Sequence, residues 1–245
     1  MSMLKILYIG RIKNINMKKI TLLALFTLLF PVLLITSCSN DDSVSDDSKE
    51  VSSESYWPLA INNQWVYNEN GTPSTVKITG TEKFGGNTYY IITEPNEYNL
   101  KIWVAKKDNT YFLKTGALDI VESGINIKMD SYELPVFKDN LAINGLWNGT
   151  VKVNVNYKSG SQSASSLMAI KYSGVILEKD ASVTINDKVY PNVIKMSLRQ
   201  EVNIEGQTTS TESLYWYAKG IGPIKSINTV DGNTVESILV SYIIN

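Results

Sequence analysis

Apolar and polar residues alternate strictly along several segments of this 245-residue chain. Residues 150–157 read Thr-Val-Lys-Val-Asn-Val-Asn-Tyr, and Ile194, Met196 and Leu198 alternate with polar residues in the same way. A period of two places successive side chains on opposite faces of a strand, so that one face is buried and the other is wet. The pattern predicts β-strands with one solvated face and does not fit amphipathic helices.

Runs of β-branched and aromatic residues predict further strands at 76–79, 89–93, 101–105, 213–218 and 235–244. The predicted turns between runs are Gly85-Gly86-Asn87, Asp108-Asn109, Asn186-Asp187, Glu205-Gly206 and Asp231-Gly232-Asn233. Such short connections leave room for at most one short helix, within 117–124 or 161–169, so neighbouring strands run antiparallel. We therefore expect an all-β or β-rich α+β fold, with a curved antiparallel sheet or half-barrel of meander hairpins.

A seven-residue segment occurs twice. Residues 59–65 read Leu-Ala-Ile-Asn-Asn-Gln-Trp and residues 141–147 read Leu-Ala-Ile-Asn-Gly-Leu-Trp, with five of seven positions identical. Each copy follows a proline and leads into a predicted strand, so each is interpreted as a turn that presents a large ring at the start of a β unit. The repeat predicts one β-rich domain, 56–245, built from two related units at 56–134 and 135–245.

The N-terminal region has the order of an export signal. Lys18 and Lys19 precede the apolar run 20–35, which ends in Thr36-Ser37-Cys38. The run is shorter than the roughly 20 residues that a spanning helix needs, and Pro31 interrupts it. We expect a signal peptide at 1–37, with Met17 as an alternative start.

Cys38 is the only cysteine of the chain, so no intramolecular disulfide can form. Its position after a small residue at the end of the signal matches the bacterial lipobox, which implies acylation of Cys38, palmitate included, and a membrane anchor. Residues 38–55 contain no aromatic residue and are rich in acids, which predicts a flexible tether. The acids resemble a surface-export signal, and Ser39 by the same resemblance favours the outer membrane, so the cell surface is expected over the periplasmic face.

Three segments resemble a known group of proteins. They are Trp57-Pro58-Leu59 through Trp65-Val66-Tyr67, residues 183–194, and the run Tyr-Trp-Tyr-Ala-Lys-Gly-Ile-Gly-Pro-Ile-Lys at 215–225. Together they are similar to a broad group of uncharacterised secreted lipoproteins of the Bacteroidota type. The resemblance implies an architecture like the LolA, LolB and LppX half-barrels, and it implies no catalytic residues. Independently of it, Gly220 and Gly222 predict a bend between two strands.

The residue content argues against several activities. The chain has no histidine, and its one cysteine is assigned to lipid, which excludes histidine-based triads, thiol nucleophiles and the usual zinc sites. Glu201 and Glu205 share a strand face, but solvated strand acids are commoner than a hydrolase pair. The formal net charge of −1 leaves no basic footprint for nucleic acid. We expect no enzyme, no metal, no cofactor and no nucleic-acid partner.

Aromatic side chains are the remaining candidates for ligand contact: Trp65, Trp103, Trp147, Tyr215, Trp216 and Tyr217. Two hypotheses stay open. A non-catalytic binding module for a hydrophobic or envelope-derived ligand would have an apolar cavity of several hundred Å³. A structural or interaction protein of the surface would have a filled core and an aromatic patch for a glycan or a protein partner.

Overall fold

The computed structural model describes residues 55–93 and 98–245. Fourteen strands and no helix are present in this part of the chain. The predicted signal peptide 1–37, the alternative start Met17, Cys38 and the tether up to residue 54 lie outside the described residues. The strands are β1 Gln64–Glu69, β2 Thr72–Phe84, β3 Asn87–Thr93, β4 Ile102–Lys107, β5 Thr110–Thr115, β6 Leu118–Glu122, β7 Ile125–Met129, β8 Tyr132–Lys138, β9 Leu146–Ser159, β10 Gln162–Ile185, β11 Lys188–Ile204, β12 Gln207–Ala218, β13 Gly222–Val230 and β14 Asn233–Ile243.

All fourteen strands belong to one antiparallel sheet, in the order β6-β7-β9-β10-β11-β12-β13-β14-β1-β2-β3-β4-β5-β8. The predicted antiparallel curved sheet is therefore confirmed, as are the strands and the turns that the alternation and the turn residues indicated. The first strand, β1, pairs with the last, β14, through Trp65 opposite Tyr242 and Glu69 opposite Ser237. This pairing places the two ends of the domain in the middle of the sheet.

The sheet curls until its two edges lie side by side. Residues 116–117 alone connect β5 to β6, and residues 130–131 alone connect β7 to β8, although these strands lie near opposite ends of the sheet order. Two intervening residues span at most about 11 Å. Across the gap, Nε1 of Trp147 on β9 donates a hydrogen bond to the Pro135 carbonyl on β8 (3.2 Å). Within the described residues no ladder joins the two edges.

The inner face of this curl holds the main core. Aliphatic side chains from both halves of the sheet are fully buried there, among them Ile78, Ile170, Ile176, Ile194, Met196 and Leu239. A stack of rings fills much of the remaining interior: Tyr217 lies 4.3 Å from Phe137, and Phe137 lies 5.3 Å from Tyr111, measured between ring centroids. Because Tyr217 is on β12 while Phe137 is on β8, this stack packs distant parts of the sheet against each other.

The repeated seven-residue segment folds the same way twice. Asn62 and Asn144 both adopt positive φ, of 72° and 66°. The Asn62 amide donates to the Ile78 carbonyl (2.8 Å), and the Asn144 amide donates to the Ile176 carbonyl (2.8 Å). In each copy the same isoleucine's amide bonds back to the residue after the asparagine. The two segments are therefore equivalent turns, while the common ancestry of units 56–134 and 135–245 stays a prediction.

No helix forms at 117–124 or 161–169, the two segments where the sequence left room for at most one. Residues 118–122 form β6, which turns at Ser123 and Gly124 into β7, and residues 162–169 belong to the long strand β10. The second segment pairs with β9 through contacts such as Asn156 opposite Ser165. Pairing with a strand already formed by strong alternation outweighs the weak local preference of small polar residues.

Candidate functional site

The inner face of the curl contains a small cleft, which we call the aromatic cleft. It has a volume of about 50 Å³ and is lined by Trp57, Trp65, Tyr67, Glu69, Val76, Ile92, Ile102, Leu113, Tyr215, Tyr217, Pro223, Lys225, Ser226 and Ser237. A neighbouring cavity of about 30 Å³ shares Trp57, Leu113, Tyr215 and Tyr217 with it. Since one water needs about 10–15 Å³, the aromatic cleft has room for a few waters or a small chemical group.

Period-two alternation builds one wall of the cleft. Trp65, Tyr67 and Glu69 are alternate residues of β1, so their side chains share its inner face. Across the sheet, Tyr215 pairs with Ser226, Ser226 with Ser237, and Ser237 with Glu69. Residues that pair directly lie on the same face of a sheet. A row of hydroxyl and carboxyl groups therefore crosses four neighbouring strands at one end of the cleft.

Trp57 lies between the two cavities and lines both of them. It precedes β1, and its ring centroid lies 5.9 Å from that of Tyr217 and 6.1 Å from that of Tyr111. Ser55 holds the segment that leads to Trp57 in place. Its carbonyl accepts a hydrogen bond from the Gly220 amide (2.8 Å), and its Oγ lies 2.9 Å from the Tyr111 hydroxyl. Nε1 of Trp57 is buried and has no hydrogen-bond partner in the described part of the chain.

Glu69 supplies a carboxyl to the cleft interior and is only 6% exposed. Burial raises the pKa of its carboxyl, while the neighbouring hydroxyls of Ser74 and Ser237 act in the opposite direction. The Ser237 Oγ is itself buried without a hydrogen-bond partner among the described residues. No lysine or arginine of residues 55–93 and 98–245 forms an ion pair with it. The cleft thus combines a buried carboxyl with aromatic walls and lacks a fixed cation on its inner side.

Lys225 contributes to the lining, but its charge lies on the outer face. It pairs with Trp216 in the sheet, and Trp216 points away from Tyr215 and Tyr217. The Lys225 ammonium is held 2.5 Å from a carboxylate oxygen of Glu236 and 5.4 Å from the Trp216 ring centroid. Both partners of this ammonium are partly exposed, so it does not neutralise the interior.

Asn228 extends the row of hydroxyl and carboxyl groups. The Tyr215 hydroxyl donates to Oδ1 of Asn228 (3.3 Å), and Nδ2 of Asn228 donates to Oγ of Ser226 (3.3 Å). All three residues are buried. One end of the cleft is therefore polar, whereas Val76, Ile92, Ile102 and Leu113 make the other side apolar.

The six aromatic residues proposed from sequence separate into two groups. Trp65, Tyr215 and Tyr217 line the aromatic cleft, whereas Trp103, Trp147 and Trp216 do not belong to its lining. Ligand contact by these residues stays a prediction. The four tryptophans of this set have packing roles in the fold.

Trp65 and Trp147 each fill a glycine-lined space. Nε1 of Trp65 donates to the Ile221 carbonyl (2.7 Å), and a Cβ added at Gly222, whose φ is +111°, would lie 2.9 Å from that nitrogen. The Trp147 ring covers Gly174, where an added Cβ would lie 2.1 Å from a ring carbon. The bend predicted at Gly220 and Gly222 is present, and it lets the main chain approach Trp65.

Trp103 and Trp216 lie on the outer face. Trp103 packs in a separate small cluster with Tyr89 and Ala105, against Phe84 and Ile91. Trp216 is half-buried beneath two lysines, with the Lys195 ammonium 5.2 Å from its ring centroid. A freely exposed stacking platform is therefore not formed at Trp216.

Glu69 and Trp57 are central to the cleft and were not proposed from sequence. Glu69 could have been found, because it continues the alternation of Trp65 and Tyr67 into the same face. Trp57 could not, since it precedes the first strand and no periodicity orients it. Of the acids considered for hydrolysis, Glu201 pairs with Arg199 (2.8 Å) and Glu205 occupies the turn before β12, both away from the cleft lining.

In the described part of the chain, no group of three or more histidine, cysteine, aspartate or glutamate side chains is arranged to hold a metal ion. Within residues 55–93 and 98–245 there is also no helix with the length and hydropathy to cross a bilayer.

Comparison with known proteins returned distant structural likenesses. A proposed lipoprotein from Parabacteroides distasonis shares 13% identity over 77% of this chain and 98% of its own, with a TM-score of 0.44. A proposed exported protein with a YmcC-like fold from Bacteroides fragilis shares 9% identity over 76% of this chain and 98% of its own (TM-score 0.42). The hypothetical lipoprotein YmcC from Escherichia coli shares 11% over 79% and 90% (TM-score 0.27). No family model and no curated relative matches the sequence. These values carry no argument about function.

Proposed function

We propose that this chain is an outer-membrane lipoprotein anchored through Cys38, and that its β domain is a non-catalytic module that binds one end of an envelope-derived hydrophobic ligand in the aromatic cleft. The tether and the acids after Cys38 support a position at the cell surface. The observation that carries the binding role is the lining of the cleft, where aromatic and aliphatic walls meet a buried carboxyl and a row of serines.

The size of the cleft limits what enters. A site that encloses a whole lipid needs roughly 300 Å³ or more, and the aromatic cleft measures about 50 Å³. The several hundred Å³ expected of a whole-ligand carrier is therefore not found among the described cavities. The bound part is a short apolar segment with a small polar group, and the rest of the ligand extends outside.

Blocking the cleft tests the proposal. Val76 lines the cleft and is half-buried, so Val76→Phe is expected to fill the space and weaken binding of the neutral probe n-hexanol about tenfold, as lost pocket contacts of 1.4 kcal/mol would do. Val240→Phe is the matched control, because Val240 is 58% exposed on β14. Binding is followed by tryptophan emission, since Trp57 and Trp65 line the site. Unsaturable or equal binding by wild type and both variants would refute the cleft as a site.

A second candidate function is a surface interaction protein without a bound small molecule. The ring stack through Tyr217, Phe137 and Tyr111 favours it, because it occupies interior space that a bound ligand would need. The same titration separates the two candidates: a wild-type chain that binds no n-hexanol supports the interaction protein.

A further inference from the structure

We infer that the ligand end accepted by the aromatic cleft is a primary alkylammonium, whose positive charge pairs with Glu69 while its alkyl chain lies along the aliphatic wall. This inference rests on the proposed function and names the chemistry of the group that the cleft recognises.

The charge of the cleft interior favours a cationic ligand. Glu69 is 6% exposed, and no cation of the described residues pairs with it. A carboxylate buried without a cation is unfavourable, and a ligand that brings a positive charge removes this penalty. The nearest lining lysine, Lys225, has its ammonium on the outer face with Glu236, so it does not occupy that role.

The polar end of the cleft can accept the hydrogen bonds of an ammonium group. An ammonium group has three N–H donors and needs three acceptors when buried. The Glu69 carboxylate and the hydroxyl oxygens of Ser226 and Ser237 lie on one row of directly paired residues across β13, β14 and β1. This row supplies three acceptors at one end of the cleft.

The aromatic walls of the cleft also favour a cation over an anion. Trp57, Trp65, Tyr67 and Tyr215 line the same cleft as Glu69. Aromatic rings attract cations through their quadrupole, and most strongly where water is excluded. An anion would instead meet ring faces and a buried carboxylate. Opposite the polar row, Val76, Ile92 and Ile102 offer aliphatic surface for the carbon chain.

The size of the head follows from the volume. A cleft of about 50 Å³ suits a primary ammonium on an unbranched chain. A larger quaternary head would need the rings to move. Two sources offer a primary ammonium next to apolar carbon, namely the headgroup of an aminolipid and a free alkylamine.

The test compares three ligands of equal chain length on the lipidated chain in phosphatidylcholine nanodiscs, with uptake by empty nanodiscs subtracted. The ligands are n-hexylammonium, n-hexanol and n-hexanoate, and tryptophan emission reports binding. We expect n-hexylammonium to bind at least about tenfold more tightly than n-hexanol, and n-hexanoate to bind most weakly. Glu69→Gln should reduce the preference for the ammonium over the alcohol to less than about threefold.

Glu236→Gln is the matched control, because Glu236 lies beside Ser237 but on the outer face. It should retain the wild-type preference. Equal affinity of wild type for n-hexylammonium and n-hexanol, or a preference that survives in Glu69→Gln, overturns the inference while the binding role stands. Failure of all three ligands to bind overturns the proposed function as well.

Replacing part of the phosphatidylcholine by phosphatidylethanolamine distinguishes the source of the amine. Competition with n-hexylammonium identifies a lipid headgroup as the ligand, and absence of competition identifies a free alkylamine. Both results agree with the inferred ammonium chemistry.

Discussion

Glu69 occupies a position where folding and the proposed ligand recognition make opposite demands. Its strand neighbours on the inner face, Trp65 and Tyr67, are buried aromatic residues, and an apolar residue in its place would extend their packing. Instead a carboxyl is buried, with the hydroxyls of Ser74 and Ser237 nearby. These hydroxyls lower the pKa of Glu69 while burial raises it, and the pKa remains raised because burial is the larger effect.

The raised pKa predicts how stability depends on pH. A carboxyl whose folded-state pKa exceeds the unfolded value contributes stability below the unfolded pKa, and this contribution is lost as pH rises through the folded pKa. Glu69→Gln is therefore expected to melt about 2 °C or more above wild type at pH 8 and close to wild type at pH 4. Thermal melts by circular dichroism at both pH values check this. A loss of stability at pH 8 would show that the ionised carboxyl is stabilising, and Glu236→Gln serves as the exposed control.

At the scale of elements, the two equivalent turns explain why the sequence repeats there. Each turn needs an asparagine at positive φ so that the main chain can bond to the neighbouring strand, at Ile78 in one copy and Ile176 in the other. Each then presents a buried tryptophan whose Nε1 donates to a carbonyl, of Ile221 or Pro135. The shared residues are therefore the ones that the turn geometry requires.

Paired substitutions test the equivalence of the turns. Asn62→Ala and Asn144→Ala should each lower the free energy of unfolding by about 1 kcal/mol, because alanine resists the left-handed conformation. Asn62→Gly and Asn144→Gly should restore most of the loss, since glycine adopts positive φ freely. Urea unfolding of the four variants provides the comparison. A loss at only one of the two positions would show that the turns are not equivalent.

Local sequence patterns predicted individual strands and turns, but they could not predict which distant strands pair. The strand at 150–157 and the turn at Asn186-Asp187 were predictable because alternation and turn chemistry act over a few residues. The pairing of β1 with β14 was not, since no local signal selects a partner far along the chain. The cleft depends on that pairing, which brings Glu69 beside Ser237. Hence half of the proposed aromatic residues line the cleft, whereas Trp57 and Glu69 were missed.

For the whole molecule, the position of the two sheet edges beside each other protects them from pairing with other chains. Exposed sheet edges invite pairing with other chains. Here the hairpin β6-β7 leaves β5, pairs with β9 and returns through residues 130–131 to β8, so both edges face each other across a short gap. This arrangement leaves each edge strand less open to a strand of another chain.

The anchor is tested on the whole protein. Because Cys38 is the only cysteine, Cys38→Ser should abolish palmitate labelling and remove the protein from the outer-membrane fraction of the native host. Ser45→Ala in the tether is expected to keep both properties. Protease treatment of intact cells should degrade the wild-type domain if it faces outward. Membrane retention of Cys38→Ser without label would contradict lipid anchoring.

The partnership of β1 with β14 also sets the order of assembly. The first strand to leave the ribosome can complete its ladder only after residues 233–243 have been synthesised and, in an exported chain, translocated. Until then one side of β1 offers unpaired amides and carbonyls, and the inner wall beside Trp65 is open to water. We therefore expect the ladder between β1 and β14 to form only after synthesis of residues 233–243, with β1 open to chaperone binding until then.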